Sequence, residues 1–360
     1  MYTRRDFGKA AMAGMTLSMM GSSLLRASVK SDATVRGVKL GAITGAYGPF
    51  PTPPGQDVID VILEKSKQAG AGYVELVNSV LEPPMGGPCV MRPGGGPPAP
   101  GGAPAAAPGG GGQRFNPPCG VGGQVPSSFP VVPDGYKEER EKLRQWRLNA
   151  DLNRLHEVRR KFDAAGVDLY SYVMTIGDDF TEPEIEAVFK QMQALGVDKF
   201  CTNQTRVAMA YRFAPYAEKY KIKAAFHTHD QAENPNEVSS PESLAAVLSI
   251  SRMFYVNLDI GWFYRGGNDP FAYLKAHHDR ITHLHVRDSA ADKGNADIGT
   301  GVIPVAEMLQ YVRDNKYDIG FIVEQTGHAG AKDNLDALRM NIDWMKQQLM
   351  GGFNNEAHRA

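Results

Sequence analysis

The chain predicts a single (β/α)8 barrel, on three observations. Four short apolar runs in its second half each end in a side chain that can bind a divalent metal. The stretches between them are long enough for a return helix, and the same alternation of strand and helix can be followed through the first half. Runs buried on both faces and joined by helices are the signature of parallel strands. Eight such units fit within the roughly 250 to 300 residues a barrel of this kind uses. The runner-up is an open doubly wound sheet, which the missing G-x-G-x-x-G turn after the first strand disfavours.

In chain order, VKLGAIT (Val38 to Thr44) reads as the first strand and Gly55 to Ala69 as a helix with apolar residues at helical spacing. GYVELV (Gly72 to Val77) is the second strand. From 82 to 133 the pattern breaks into a Gly/Pro/Ala-rich insertion with too few apolar residues for a core and no collagen-like period. It reads as a disordered spacer, with a lid over the barrel mouth as the functional alternative. Tyr136 to Ala165 reads as one charged helix whose buried stripe is Leu148, Leu152, Leu155, Val158 and Phe162. Val167 to Met174 is the third strand, Glu182 to Leu195 a helix, Val197 to Asn203 the fourth strand and Thr205 to Lys219 a helix. The last four strands are Ala224 to His229, Phe254 to Asp259, Ile281 to Asp288 and Gly320 to Glu324. Helices are expected near Pro241 to Ser251, Pro270 to His277, Pro304 to Asn315 and Asn334 to Leu349. The organisation is therefore a signal and linker over 1–33, a barrel over 34–350 and a tail over 351–360.

The N-terminus supplies the signal. Thr3-Arg4-Arg5-Asp6-Phe7-Gly8-Lys9, followed by the mildly apolar Ala10 to Leu25, resembles a twin-arginine export signal, which carries folded proteins out of the bacterial cytoplasm. The expected location is periplasmic or otherwise exported, with no stable membrane span after the signal is removed. A net charge of −1 gives no reason to expect a nucleic acid partner. Three cysteines make neither a disulfide framework nor a Cys-based zinc site. A Cys89 to Cys119 bridge with Cys201 free, and three unpaired thiols, both stay open.

Strands of a parallel barrel converge at their C-terminal ends, so His227, Asp259, His285 and Glu324 are expected to meet at one mouth. Any one of them alone reads as a hydrogen-bonded structural residue, but four at the same end of four successive strands point to a shared metal site. Two imidazoles and two carboxylates suit one divalent ion. His229, two residues past His227 and on the same side of an extended strand, is a candidate acid or base, with a structural role as its alternative. Arg287 is a candidate for a substrate oxygen, with a pairing to Asp288 or a neighbouring carboxylate as its alternative. Trp262 is a candidate for stacking on a sugar, with a packed loop aromatic as its alternative, and Glu75 is a further substrate-binding candidate, with a buried barrel-interior carboxylate paired with a cation as its alternative. His328, His277 and His278 read as solvated.

From about Val38 to Met350, and most specifically in HLHVRD and FIVE, the chain resembles the xylose isomerase-like TIM barrels, which include sugar phosphate isomerases and epimerases. HLHVRD resembles that family's H-x-[KR]-D strand and FIVE its terminal metal-binding glutamate. The resemblance implies one divalent ion (manganese, zinc, cobalt, magnesium or iron) held by Asp259, His285 and Glu324. At the fifth strand many epimerases have a glutamate, and His227 in FHTH departs from that. The resemblance also implies dimers or tetramers, hence a homo-oligomer.

The expected chemistry is abstraction of a proton next to a carbonyl through a metal-stabilised enediolate, as a sugar isomerase or epimerase. Family epimerases work with two metal-bound glutamates on opposite faces. Here Glu324 is the one family-type base, with His229 as the second acid or base. A keto-sugar lyase or hydratase is therefore the close alternative, and a non-catalytic periplasmic sugar-binding protein the other. A related endonuclease is disfavoured, because the extra ligands and a basic surface are missing. Export and the lack of a phosphate cradle point to an unphosphorylated sugar or keto-sugar.

Overall fold

A computed structural model of the chain describes residues 33–52, 54–83, 136–202, 206–233 and 237–351. Nearly all of the signal region, most of the 82–133 insertion with Cys89 and Cys119, and most of the 351–360 tail lie outside the described residues. Eight strands are paired in parallel and close on themselves: β1 (Val38–Ile43), β2 (Tyr73–Val77), β3 (Asp168–Val173), β4 (Lys199–Thr202), β5 (Lys223–His227), β6 (Phe254–Asp259), β7 (Ile281–Val286) and β8 (Gly320–Val323). β8 pairs with β1 through Phe321 and Leu40, and this closes the ring. The fold is a single (β/α)8 barrel.

The return helices are α1 (Val58–Ala69), α2 (Tyr136–Leu148), α3 (Leu152–Ala165), α4 (Glu182–Ala194), α5 (Val207–Tyr220), α6 (Pro241–Leu248), α7 (Ile260–Arg265), α8 (Pro270–His277), α9 (Val305–Asn315) and α10 (Asn334–Met350). Strands alternate between a face packed on this outer ring and a face inside the barrel. The strand residues Leu40, Val74, Leu169, Phe200, Phe226, Val256, Leu284 and Phe321 are all buried. No described helix is long and apolar enough to cross a membrane.

The single helix expected over Tyr136 to Ala165 is two helices, α2 and α3. Asp151 caps the second, its carboxylate accepting from the Asn153 amide at 2.9 Å, and an N-cap of that kind starts a helix rather than continuing one. Beside the break, Leu148 and Leu152 are more than a third exposed, so the buried stripe is Leu155, Val158 and Phe162. What α2 buries is Leu143 together with two charged residues, Arg140 and Arg147. Sequence periodicity also missed α7 and the short two-stranded ribbon of Asp288–Ser289 with Asn295–Ala296. Each is too brief to show a period.

Gly41 on β1 marks the tightest approach in the barrel wall. A Cβ there would sit 1.9 Å from the Tyr73 carbonyl oxygen, and a backbone atom of a neighbouring strand cannot rotate away. Gly41→Ala is expected to destabilise the barrel by about 3 kcal/mol, measured by urea unfolding. A loss below about 1 kcal/mol would mean that β1 and β2 separate freely there.

Candidate functional site

The side chains that end β5 to β8 meet. One ligand atom each from His227, Asp259, His285 and Glu324 lies within 4.8 Å of the others, a group able to hold a metal ion. Register brings this about: Asp259 pairs with His285 across β6 and β7, and Ile322, two residues before Glu324, pairs with His285 across β7 and β8. The ends of β5 and β6 are tied together by Thr228, whose buried hydroxyl accepts from the Asp259 amide at 3.0 Å. Asp259 also caps α7, accepting from the Trp262 amide at 2.8 Å, which holds one carboxylate oxygen in place.

His227, Asp259 and His285 are buried, whereas Glu324 keeps about a fifth of its side chain exposed. His285 Nδ1 is 2.9 Å from Glu324 Oε2, and His227 Nε2 is 3.9 Å from the same oxygen. The buried His227 Nδ1 has no hydrogen-bond partner among the described residues. Burial, and next the nearby His229, hold the His227 ring well below its ordinary pKa, so it stays neutral and ligand-ready. Burial also acts on Asp259, and with Glu324 beside it this outweighs Arg287 and raises the carboxyl to about 7. Glu324 goes the other way. Burial would raise it, but Arg287 and His285 prevail and hold it well below the carboxylate range. Near neutrality the Asp259 and Glu324 pair therefore retains a proton, and a divalent cation is a natural replacement for it.

Arg287 spans the two carboxylates, with Nε donating to Asp259 Oδ2 at 3.0 Å and Nη2 lying 2.9 Å from Glu324 Oε1. Its guanidinium lies 5.0 Å from the centre of the Trp262 ring, and that of Arg265 lies 4.7 Å away. Trp262 is therefore packed by two cations at the edge of the group. Asp288 does not pair with Arg287. It is fully buried, and its carboxylate accepts from the backbone amides of Ser289, Gly299, Gly301 and Ile303, pinning the loop after β7.

His229 stands next to the group, its ring centre 4.6 Å from that of His227. Its Nδ1 is 2.8 Å from Glu237 Oε2, and its amide donates to Ser239 Oγ at 2.8 Å. Burial alone would lower its pKa, but the Glu237 hydrogen bond and charge raise it. Glu75 lies inside the barrel, wholly buried, with its two oxygens engaged by His285 Nε2 at 2.6 Å and His283 Nε2 at 2.8 Å. His328 pairs with the Ala329 carbonyl, 3.8 Å from Asp297, and belongs to neither group. His278 stacks on Tyr317 and His277 packs near Tyr273, both on the helical shell.

Sequence reasoning passed over Glu237, His283 and Asn257. The alternation in HLHVRD places His283 on the same face as His285, a signal that was present. Glu237 follows an irregular stretch with no periodicity, and only the folded loop brings it to His229.

Residues 202–348 match a family model described as xylose isomerase-like TIM barrel. No curated protein matches the chain. Among solved structures, the probable 3-DHS dehydratase AsbF of Bacillus anthracis, involved in petrobactin synthesis, superposes with TM-score 0.53 at 13% identity, covering 85% of this chain and 98% of that one. A sugar phosphate isomerase/epimerase from Parabacteroides distasonis gives 0.52 at 14%, covering 86% and 94%. A xylose isomerase domain-containing protein from Salmonella typhimurium gives 0.52 at 11%, covering 88% and 99%. At such identities the likeness is one of fold. The match over 202–348 includes all four clustered side chains, and it is there that the chain is similar to the xylose isomerase-like TIM barrels.

Proposed function

We propose that the protein is a divalent-metal-dependent enzyme that moves a proton at the carbon next to a sugar carbonyl, acting as an isomerase or epimerase. The observation that carries this is the convergence of His227, Asp259, His285 and Glu324 at the ends of four neighbouring strands. Two imidazoles and two carboxylates would hold one manganese, zinc, cobalt, magnesium or iron ion. The bound ion would supply Lewis-acid polarisation of the carbonyl oxygen.

The remaining work falls to the chain's own residues. Glu324, the partly exposed carboxylate of the group, takes the substrate proton. While Arg287 and His285 hold it far below neutrality it is a weak base, so its basicity depends on Arg287 leaving Oε1. A substrate hydroxyl or carbonyl oxygen is a suitable acceptor for that guanidinium. Trp262, packed beside Arg287, is the apolar surface nearest to such a substrate. His229, oriented through Nδ1 by Glu237, has Nε2 left for returning a proton. An acid and a base of different kinds also suit elimination or hydration of a keto-sugar, and this asymmetry supports the lyase or hydratase reading. The substrate is proposed to be an unphosphorylated sugar met after export.

The test is elemental analysis of protein purified without chelators, followed by incubation with keto-sugars in deuterated water. About one ion per chain and deuterium at the carbon next to the carbonyl are expected. A chain with no transition metal, unchanged in thermal stability by added magnesium or manganese, would sink the reading in favour of a sugar-binding protein. If exchange is found, Glu237→Gln should shift the alkaline limb of kcat/KM to lower pH, because burial then acts on His229 without its carboxylate. An unmoved limb would remove His229 from the reaction.

A further inference from the structure

Glu75 is an expensive residue to place where it is. It is wholly buried in the barrel, and an ionised carboxylate there must be hydrogen-bonded to persist. It receives three donors: Ser171 Oγ, His283 Nε2 at 2.8 Å and His285 Nε2 at 2.6 Å. His283 is itself fixed, its Nδ1 lying 2.8 Å from the Thr282 hydroxyl. The Asn257 side-chain amide lies 3.0 Å from His285 Nε2, and with Oδ1, otherwise without a partner among the described residues, turned toward the ring it accepts from Nε2–H as well. The whole arrangement is dry, for Glu75, Ser171, Asn257 and His283 are all fully buried.

The consequence falls on His285. Carboxylates flank both ring nitrogens, Glu75 at 2.6 Å from Nε2 and Glu324 at 2.9 Å from Nδ1. Nε2 faces the buried Glu75, which keeps its proton there, whereas Nδ1 faces the four-residue group at the mouth, where a bound ion would take the place of the proton shared with Glu324. We propose that Glu75, on β2 and far from the ligands in sequence, is a positioning residue that fixes the tautomer and ring orientation of His285 for metal binding, with His283 and Ser171 holding Glu75 in turn. This rests on the metal-site reading above. It places Glu75 behind the ligand rather than in contact with substrate.

Two measurements test it. The first uses wild-type chain labelled with ¹⁵N-histidine and loaded with zinc, and long-range ¹H–¹⁵N correlations assign the ring nitrogens with a His285→Gln comparison. A protonated His285 Nε2 and a zinc-shifted Nδ1 are expected; zinc on Nε2 overturns the proposal without any variant having to fold. The second is zinc affinity by chelator competition in wild type and Glu75→Gln, where a loss of roughly 10- to 100-fold is expected. Unchanged affinity in a folded Glu75→Gln chain overturns the proposal while leaving the metal site intact. Two zinc ions per wild-type chain also overturn it, since Glu75 and His283 would then be ligands themselves. No zinc in the wild type defeats the metal-site reading and the positioning role together.

Discussion

Glu324→Gln is expected to lower turnover by roughly 10²- to 10⁴-fold, with the barrel still folded. The substitution preserves shape but removes both the proton acceptor and the negative charge. In the present arrangement Oε2 lies 2.9 Å from His285 Nδ1 and 3.9 Å from His227 Nε2, and Oε1 lies 2.9 Å from Arg287. An amide can still accept from Arg287, so positioning is largely kept while basicity is lost. The measurement is single-turnover deuterium exchange beside metal content. Loss of exchange with metal retained identifies Glu324 as the base, whereas loss of both shows that its main role is as a ligand. Adding His285→Ala should empty the site. Exchange at the wild-type rate in Glu324→Gln would take this carboxylate out of the mechanism.

The largest expected effect on stability lies on the opposite side of the mouth. Arg147 is fully buried, with Nε 2.7 Å and Nη2 2.8 Å from the two oxygens of Glu82, and Nη1 3.0 Å from Glu184 Oε1. Glu184 also receives Arg140 and Arg144, and Arg140 and Arg147 both lie over the Phe180 ring. Arg147→Ala leaves Glu82 buried with, among the described residues, only Asn78 as a side-chain donor, at 2.6 Å, and is expected to cost about 3 to 5 kcal/mol in urea unfolding. A cost under about 1 kcal/mol would show that Glu82 reaches water or takes up a proton when its partner goes. The network joins Glu82, just past β2, to α2, so it fixes the wall of the mouth facing away from the four clustered side chains.

The repeating strand-helix units could be read from the chain because each is a local pattern. Apolar runs and turn residues report on their own neighbourhood, so all eight strands were expected within a few residues of where they lie. The α2 and α3 break was not, since a charged stretch with regular Leu spacing looks continuous until Asp151 is seen capping the second half. His227, Asp259, His285 and Glu324 could be named from sequence because a parallel barrel delivers every strand end to one face. Glu75 could be read as a buried interior carboxylate with a cationic partner, but not which partner, and Glu237 was overlooked.

By itself, the sequence determined the barrel, the order of its strands and which four side chains end β5 to β8, because hydrophobic periodicity and chain direction are properties of short segments. Only the tertiary structure decided that Glu75 lies against His283 and His285, that Glu237 meets His229, and that of the carboxylates open to Arg287 it is Asp259 and Glu324, not Asp288, that it pairs with. Those contacts join residues from different strands and loops, and hydrogen bonds and charge act through distances of about 3 Å in space, which spacing along the chain does not encode.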